Sequence, residues 1–416
     1  MRALRIIHAA DCHLDAPSRS LERGVRERVE QSARTALERL VALAVDREAD
    51  ALVLAGDLFD RDLLRIPTEL WLPEVLGEAT EAGVTVIAVT GNHDPGGGSR
   101  PLDRIPWPTA RFHLVRDRRV RPIELRRGDG ALAGIVMAAG HESPREADNL
   151  VATFPAVAAD VPVVGLVHCQ VHGYEGEHDR YAPCVASDLA GKGYAYWALG
   201  HVHGSVAVSA DPPAWYPGCL QGRHFGEMGA KGALDVEIGP DGAAVEFRPL
   251  APVRWQDLLL DDLAHVSDTR GVLERCDAAF GELNRRHGVL PDQDWVLRVR
   301  VGGRTPFFAE LRGAEAADDL ALAVRERLGV LAVEVRDDGV VPPVEVAAHE
   351  GQPHVLSAAL ELIRRAHYDD TVLAEIAPGA LAGAPDEPSA RAAYLRALLD
   401  GLDVEVVAAM LEDQGT

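Results

Sequence analysis

Five short segments of the chain carry residue types that bind divalent metals: Asp11-Cys12-His13, Gly56-Asp57-Leu58-Phe59-Asp60, Gly91-Asn92-His93-Asp94, His168 and Gly200-His201-Val202-His203. Mixed imidazole and carboxylate ligands suit borderline ions such as Mn, Fe and Zn, whereas Mg and Ca favour all-oxygen sites. Two such ions roughly 3.5–4 Å apart can clamp a phosphoryl group, activate a water and stabilise a leaving oxygen. An aspartate shared by both ions is the natural centre of such a site, and Asp57 is the candidate. Any one of these motifs alone is ordinarily a turn. Five in order, each closing an apolar run, point to a dinuclear site.

The runs that must position them read as strands: LRIIHAA before Asp11, ALVLA before Gly56, VTVIAVT before Gly91, VVGLV before His168 and YWAL before Gly200. In an α/β fold the carboxyl ends of neighbouring strands meet at one sheet edge, where ligands bind. Between them, 26–49 has helical periodicity, and 67–83 opens on proline and closes on glycine as helices do. GIVMAAG (134–140) reads as a strand and SPREADNLVATFPAV (143–157) as a helix. After the GHVH segment the pattern turns to hairpins, with Asp241-Gly242 as one turn. Alternating units followed by hairpins predict an α/β fold, a two-sheet sandwich flanked by helices.

The series resembles the calcineurin-like metallophosphoesterase superfamily, whose pattern is DxH, GDxxD, GNHD, H and GHxH. His13-Leu14-Asp15-Ala16-Pro17, YAPCVASDLAGKGYAYWALGHVHG (181–204) and YPGCLQGRHFGEMGAKG (216–232) are similar to the bacterial SbcD-like repair exonucleases, in particular the YhaO-type branch. The resemblance implies that Asp11, His13, Asp57 and His203 hold one metal, and Asp57, Asn92, His168 and His201 the other. It gives His93 a role as proton donor toward the scissile phosphate or leaving oxygen. Asp60 and Asp94 read as groups that orient ligand histidines through their second ring N–H. Archaeal and eukaryotic relatives carry a histidine at position 60; the aspartate here removes that phosphate contact. Arg223 and His224, in the family-specific QGRH loop, are candidate substrate contacts. His8, His113, His141, His172 and His178 read as surface histidines, and Cys12 as packing on the opposite side of its strand.

A chain of 416 residues suggests two or three domains, with 47% hydrophobic residues to build their cores. The expected division is a phosphoesterase domain at 1–250, an α+β cap at 251–340 and a helical tail at 341–416. The cap holds strand-like WQDLLL and DWVLRVRVGG, helices near 268–288 and 310–329, and strand-like VLAVEVRDD. The tail holds helices at 354–369 and 390–414, joined by the flexible-looking GALAGAPDEPSA. Leu395, Leu398, Leu399 and Leu402 form a stripe, with Val407, Met410 and Leu411 beyond it. That stripe either docks within the chain or is offered to a partner.

Five unpatterned cysteines argue against disulfides and for a reducing cytoplasm. No apolar run reaches membrane-span length. The opening MRALRIIHAADCH imitates a signal peptide, but His8 interrupts the run and Asp11 belongs to the metal motif, so it reads as a first strand. A net charge of −23 opposes DNA binding, which rests on neutralising phosphates. Nine arginines between Arg100 and Arg127, against Asp103, Asp117 and Glu124, either flank the site or form a solvated hairpin.

The leading expectation is a DNA exonuclease in repair, cutting phosphodiesters with two divalent ions, Mn first and Fe, Zn or Mg after it. By resemblance it digests 3′ to 5′ and works with an SMC-like coiled-coil ABC ATPase; a second copy of the chain is a further candidate partner. A phosphodiesterase for a small nucleotide is the enzymatic alternative. A scaffold that recruits the ATPase is the third.

Overall fold

The computed structural model describes residues 2–412 except 18–21, 61–63, 98–99, 174–180, 262, 289, 312–314, 344–345, 352–353, 377–384 and 386. His178, and much of the GALAGAPDEPSA linker, lie outside the described residues. The chain divides into two compact units, 1–256 with 289–296, and 257–288 with 297–416.

The first unit is a two-sheet sandwich. One sheet contains β1 (Leu4–Ala9), β2 (Ala51–Ala55), β3 (Thr85–Val89) and β4 (Phe112–Val115), mutually parallel in that order. The other contains β5 (Arg121–Arg126), β6 (Leu132–Ala139), β7 (Val163–His168), β8 (Tyr196–Gly200), β9 (Val206–Ala210) and β10 (Pro213–Tyr216), in the order β5-β6-β7-β8-β10-β9. The chain then returns to the first sheet, where β11 (Gly232–Gly239) pairs antiparallel with β1 and β12 (Gly242–Pro249) forms the edge. Strands β2, β3, β7 and β8 are buried along their whole length, as strands covered on both faces must be.

Three apolar layers hold the sandwich. Ile6, Val53 and Ile87 meet Val136, Val164, Leu166 and Tyr196 between the sheets. Ile7, Leu52, Leu54 and Val86, on the other face, pack under helices Arg23–Asp46 and Ile66–Glu81 through Leu37, Leu40, Leu72 and Leu76. Trp197, Leu199 and Val163 pack with Leu150, Phe154 and Leu189 on the far side. The first helix ends three residues before its periodicity predicts: Arg47 caps it and Glu48, at φ 47°, turns the chain into β2.

The helix expected over 143–157 does not form; only Val151–Thr153 makes one 3₁₀ turn. Its polar side chains bond the backbone locally instead. Glu146 Oε1 accepts from the Glu142 and Ser143 amides, and Asn149 Oδ1 from that of Ala152.

The second unit carries most of the three-stranded sheet β13-β14-β15 (Val253–Leu260, Asp294–Arg304, Ala332–Val341), together with helices Thr269–His287 and Ala316–Leu328. In the tail, the single helix expected over 390–414 is two, Pro388–Leu399 and Leu402–Glu412, because Gly401 takes φ 81° between them. Leu395 and Leu399 pack with Ala366, Val372 and Leu373, while Val407 packs with Leu356 and Leu360. Those stripe residues therefore dock within the unit, leaving Leu398 exposed. Among the described residues, no helix is long and apolar enough to cross a membrane.

Candidate metal centre

The parallel registers bring the strand ends together: Ala55 pairs with Val89 in one sheet, and His168 with Gly200 in the other. The loops that follow are tied to each other. Amides of Asp11, His13 and Leu14 donate to carbonyls of Gly56, Asp57 and Leu58. The chain bends sharply to do this, with positive φ at Asp11 (51°), His13 (43°), Asp57 (51°) and His201 (113°). Such left-handed backbone is costly for residues other than glycine, and it collects where side chains must converge. Two glycines leave the room. A Cβ on Gly91 would collide with the Asp57 carboxylate, and one on Gly56 with the His168 ring.

Ligand-type atoms face one another at short distances. His203 Nδ1 donates to Glu227 Oε1 (2.7 Å), which leaves the lone pair of Nε2 facing His13 Nε2 at 3.3 Å and Asp11 Oδ1 at 3.8 Å. His168 Nδ1 donates to the Ala55 carbonyl (2.8 Å), so its Nε2 lone pair meets Asn92 Oδ1 at 2.9 Å and Asp57 Oδ2 at 3.5 Å. Asp57 Oδ2 also lies 3.9 Å from His13 Nε2, between the two groups. Asp11 Oδ1 is buried with no hydrogen-bond partner. Ligands about 2.1 Å from one ion stand roughly 3.0–4.2 Å apart, from neighbouring to opposite positions, so two shared cations fit these spacings.

Electrostatics agrees. Burial, with the charge of Asp94 nearby, pushes Asp57 up to about 7. Burial and Asp57 likewise raise Asp11, and burial followed by the Arg223 charge holds His13 low. Buried carboxylates beside neutral imidazoles are neutralised by protons, as the raised pKa values record, or by bound cations.

The side chain of His201 is buried with its ring 5.2 Å from that of His168, and its amide donates to Asp11 Oδ2. His93 stands at the mouth, 30% exposed, with Nδ1 2.6 Å from Asp60 Oδ1. Burial lowers the pKa of His93, but the hydrogen bond to Asp60 together with the charges of Asp57 and Asp60 outweighs it, and the net shift is upward. Asp60 itself, raised by burial, is pulled below the usual carboxylate range by the imidazoles of His13 and His93.

Asp94 does not orient a histidine. It is buried beneath the loops and accepts from the amides of Leu58, Phe59 and Gly91, so it fixes the backbone that carries Asp57 and Asn92. Arg223 is at the centre, but paired with Glu227 (2.7 Å) and 3.5 Å from His203 Nδ1. His224 is turned outward and accepts from the Gly226 amide. Glu227 was not singled out from sequence, although it lies in the QGRHFGE stretch. Hydrogen bonds from His203 and Arg223 overcome the effect of burial and keep it ionised. Glu227→Gln should weaken metal binding about 10- to 100-fold by loosening the His203 ring. Metal titration of the apoprotein checks this; an unchanged affinity would remove the orienting role.

His8 and His141, expected at the surface, are fully buried. His141 Nε2 is 2.7 Å from the His168 carbonyl; His8 lies between the Tyr196 hydroxyl and the Leu199 carbonyl. His113 and His172 are exposed. Cys12 packs in the core under the helices. Burial depresses His8 to about 3. Below pH ~6.5 the unfolded chain therefore binds a proton that the fold refuses, a loss of about 1.4 kcal/mol per pH unit. His8→Gln keeps both hydrogen bonds without ionising. Urea denaturation at pH 7 and pH 5 should show the variant losing less stability than the parent; equal losses would contradict this account.

A family model for calcineurin-like phosphoesterases matches residues 4–205. The chain carries a calcineurin-like metallophosphoesterase domain. It is 28% identical over 331 residues to the metallophosphoesterase YhaO of Bacillus subtilis, covering 76% of this chain and 79% of that one. The DNA double-strand break repair protein Mre11 of Aeropyrum pernix matches at 28% over 58% of this chain and 60% of its own length. That of Methanopyrus kandleri matches at 27% over 92% of this chain and 83% of its own. A dimetal phosphatase from Danio rerio superposes on 60% of this chain and 98% of its own, at a TM-score of 0.38 and 14% identity, too weak a likeness to carry an inference.

Proposed function

We propose that this protein is a metal-dependent phosphodiesterase that degrades DNA as a 3′–5′ exonuclease in repair. The observation that carries the phosphodiesterase reading is the pairing of two facing ligand clusters around Asp57 with a reachable imidazole, His93, held by Asp60. In this reading Asp11, His13, Asp57 and His203 hold one ion, and Asp57, Asn92, His168 and His201 the other. Two divalent ions there, Mn first among them, supply charge that polarises the phosphodiester and activates water. The protein's own groups do the rest. The ring held by Asp60 keeps a proton at His93 for the leaving oxygen. Asp94 holds both ligand loops against each other.

DNA as the substrate is supported by the Mre11 relatives, one of which aligns along nearly the whole chain. The coiled-coil ATPase remains part of the proposal only as what the sequence resemblance implies. One observation favours a small phosphodiester instead. Six of the nine arginines of the basic run are occupied: Arg116 by Asp103, Arg118 by Asp148, Arg121 by Asp117, Arg126 by Glu124, Arg127 by Asp50 and Arg104 by Glu69. Paired guanidinium groups neutralise few DNA phosphates.

End-labelled linear duplex incubated with the protein and Mn, Mg or chelator separates the two. Metal-dependent release of nucleotides is the expected result. Hydrolysis of a small chromogenic diester without attack on DNA would transfer the assignment to a small substrate.

A further inference from the structure

The geometry points to a nucleobase-binding pocket beside the metal centre, built around Gln170, that receives the base of the nucleotide being cleaved. The proposal rests on the phosphodiesterase reading above. A cavity of about 340 Å³ is lined by Asn149, Gln170, His172, Pro183, Cys184, Val185 and Asp188. Gln170 is only 2% exposed, and among the described residues neither its Oε1 nor its Nε2 has a hydrogen-bond partner. A buried carboxamide with both ends unsatisfied is costly unless a ligand completes it.

His172 is exposed at the same cavity, and the side chains of Asn149 and Asp188 are already used. Asn149 Nδ2 donates to Asp188 Oδ2, and the same oxygen accepts from the Val185 amide. No lysine or arginine is among the described lining residues and the Asp188 carboxylate repels anions, so the pocket suits a neutral group better than phosphate. Pro183, Cys184 and Val185 offer apolar walls. The fitting ligand is a flat, uncharged ring that presents a donor and an acceptor side by side, the chemistry of a base edge met by glutamine.

Its position suits the reaction. Cys169 and Val171 face the outer core, so His168 and Gln170 share the opposite face of an extended segment. Two residues separate them, at most about 7 Å of chain. Tyr181, whose carbonyl accepts from the Gln170 amide, packs its ring 5.6 Å from that of His201. A base in the pocket therefore places its own phosphate toward the metal ligands.

The test compares the 4-nitrophenyl ester of thymidine 5′-phosphate with the same ester of an abasic deoxyribose 5′-phosphate. The wild-type chain should favour the base-bearing ester about tenfold in kcat/KM, the scale of one buried polar pairing. Gln170→Leu should erase the preference by slowing that ester alone. Equal wild-type rates on both esters would overturn the pocket while leaving the phosphodiesterase standing. Cleavage of neither, with hydrolysis of 4-nitrophenyl phosphate, would overturn the phosphodiesterase reading and the pocket with it. If Gln170→Leu slows both esters alike, Val185→Trp decides, because that exposed side chain fills the mouth without disturbing the interior. A preference retained in Val185→Trp overturns the proposal; one lost supports it.

Discussion

Replacing Asp57 by asparagine should lower the turnover of any phosphodiester by at least a factor of about 1,000, since losing a shared ligand removes several kcal/mol of charge stabilisation. Bound metal should fall below two ions per chain. A second consequence runs the other way. Burial holds Asp57 near 7 in the absence of cations, so its charge opposes folding as pH rises from the ordinary carboxylate range toward 7 and above. The asparagine variant should therefore melt higher than the parent when both are metal-free at pH 8, and lower when both are saturated with Mn, because the parent alone gains full binding energy. Calorimetry with and without chelator reads both. A variant that melts lower in chelator as well would mean that Asp57 is structural.

His93→Ala should leave two ions bound yet cut turnover of a natural diester by about 10²–10⁴, the range for loss of one acid–base group. The defect should depend on the leaving group. An alkoxide needs a proton as its bond breaks, whereas a nitrophenolate departs without one, so the chromogenic ester should be nearly spared. Equal losses on both esters would mean that His93 positions the phosphate and does not protonate it. Asp60→Asn gives the companion result. The partner carboxylate keeps the His93 proton in place to higher pH, so without it the alkaline limb of activity should move to lower pH.

Much of this was legible in the sequence because each site residue sits directly after an apolar run, and such runs have few ways to fold. Continuous apolar stretches such as ALVLA and VVGLV are strands buried on both faces, and a parallel sheet places their carboxyl ends together. Gly91 and Gly56 were readable as parts of motifs, though not as spaces into which Asp57 and His168 fit. The 143–157 segment misled because its hydrophobic spacing suits a helix while Glu146 and Asn149 bond the local backbone. The last helix misled at Gly401, whose cost within a helix is small enough for periodicity to overrule until packing chooses a turn.

What the sequence alone determined is the set of metal-ligand types, their attachment to strand ends and the two-sheet architecture, since all follow from local order and period. Tertiary structure decided which group serves which. It gave His203 to Glu227 and His93 to Asp60, moved Asp94 to the backbone, buried His8 and His141, and paired the arginines with acids. The histidine contacts among these join residues 24 to 191 positions apart. Hydrogen-bond direction and desolvation at such distances are set by the packed fold, and no window of sequence contains them.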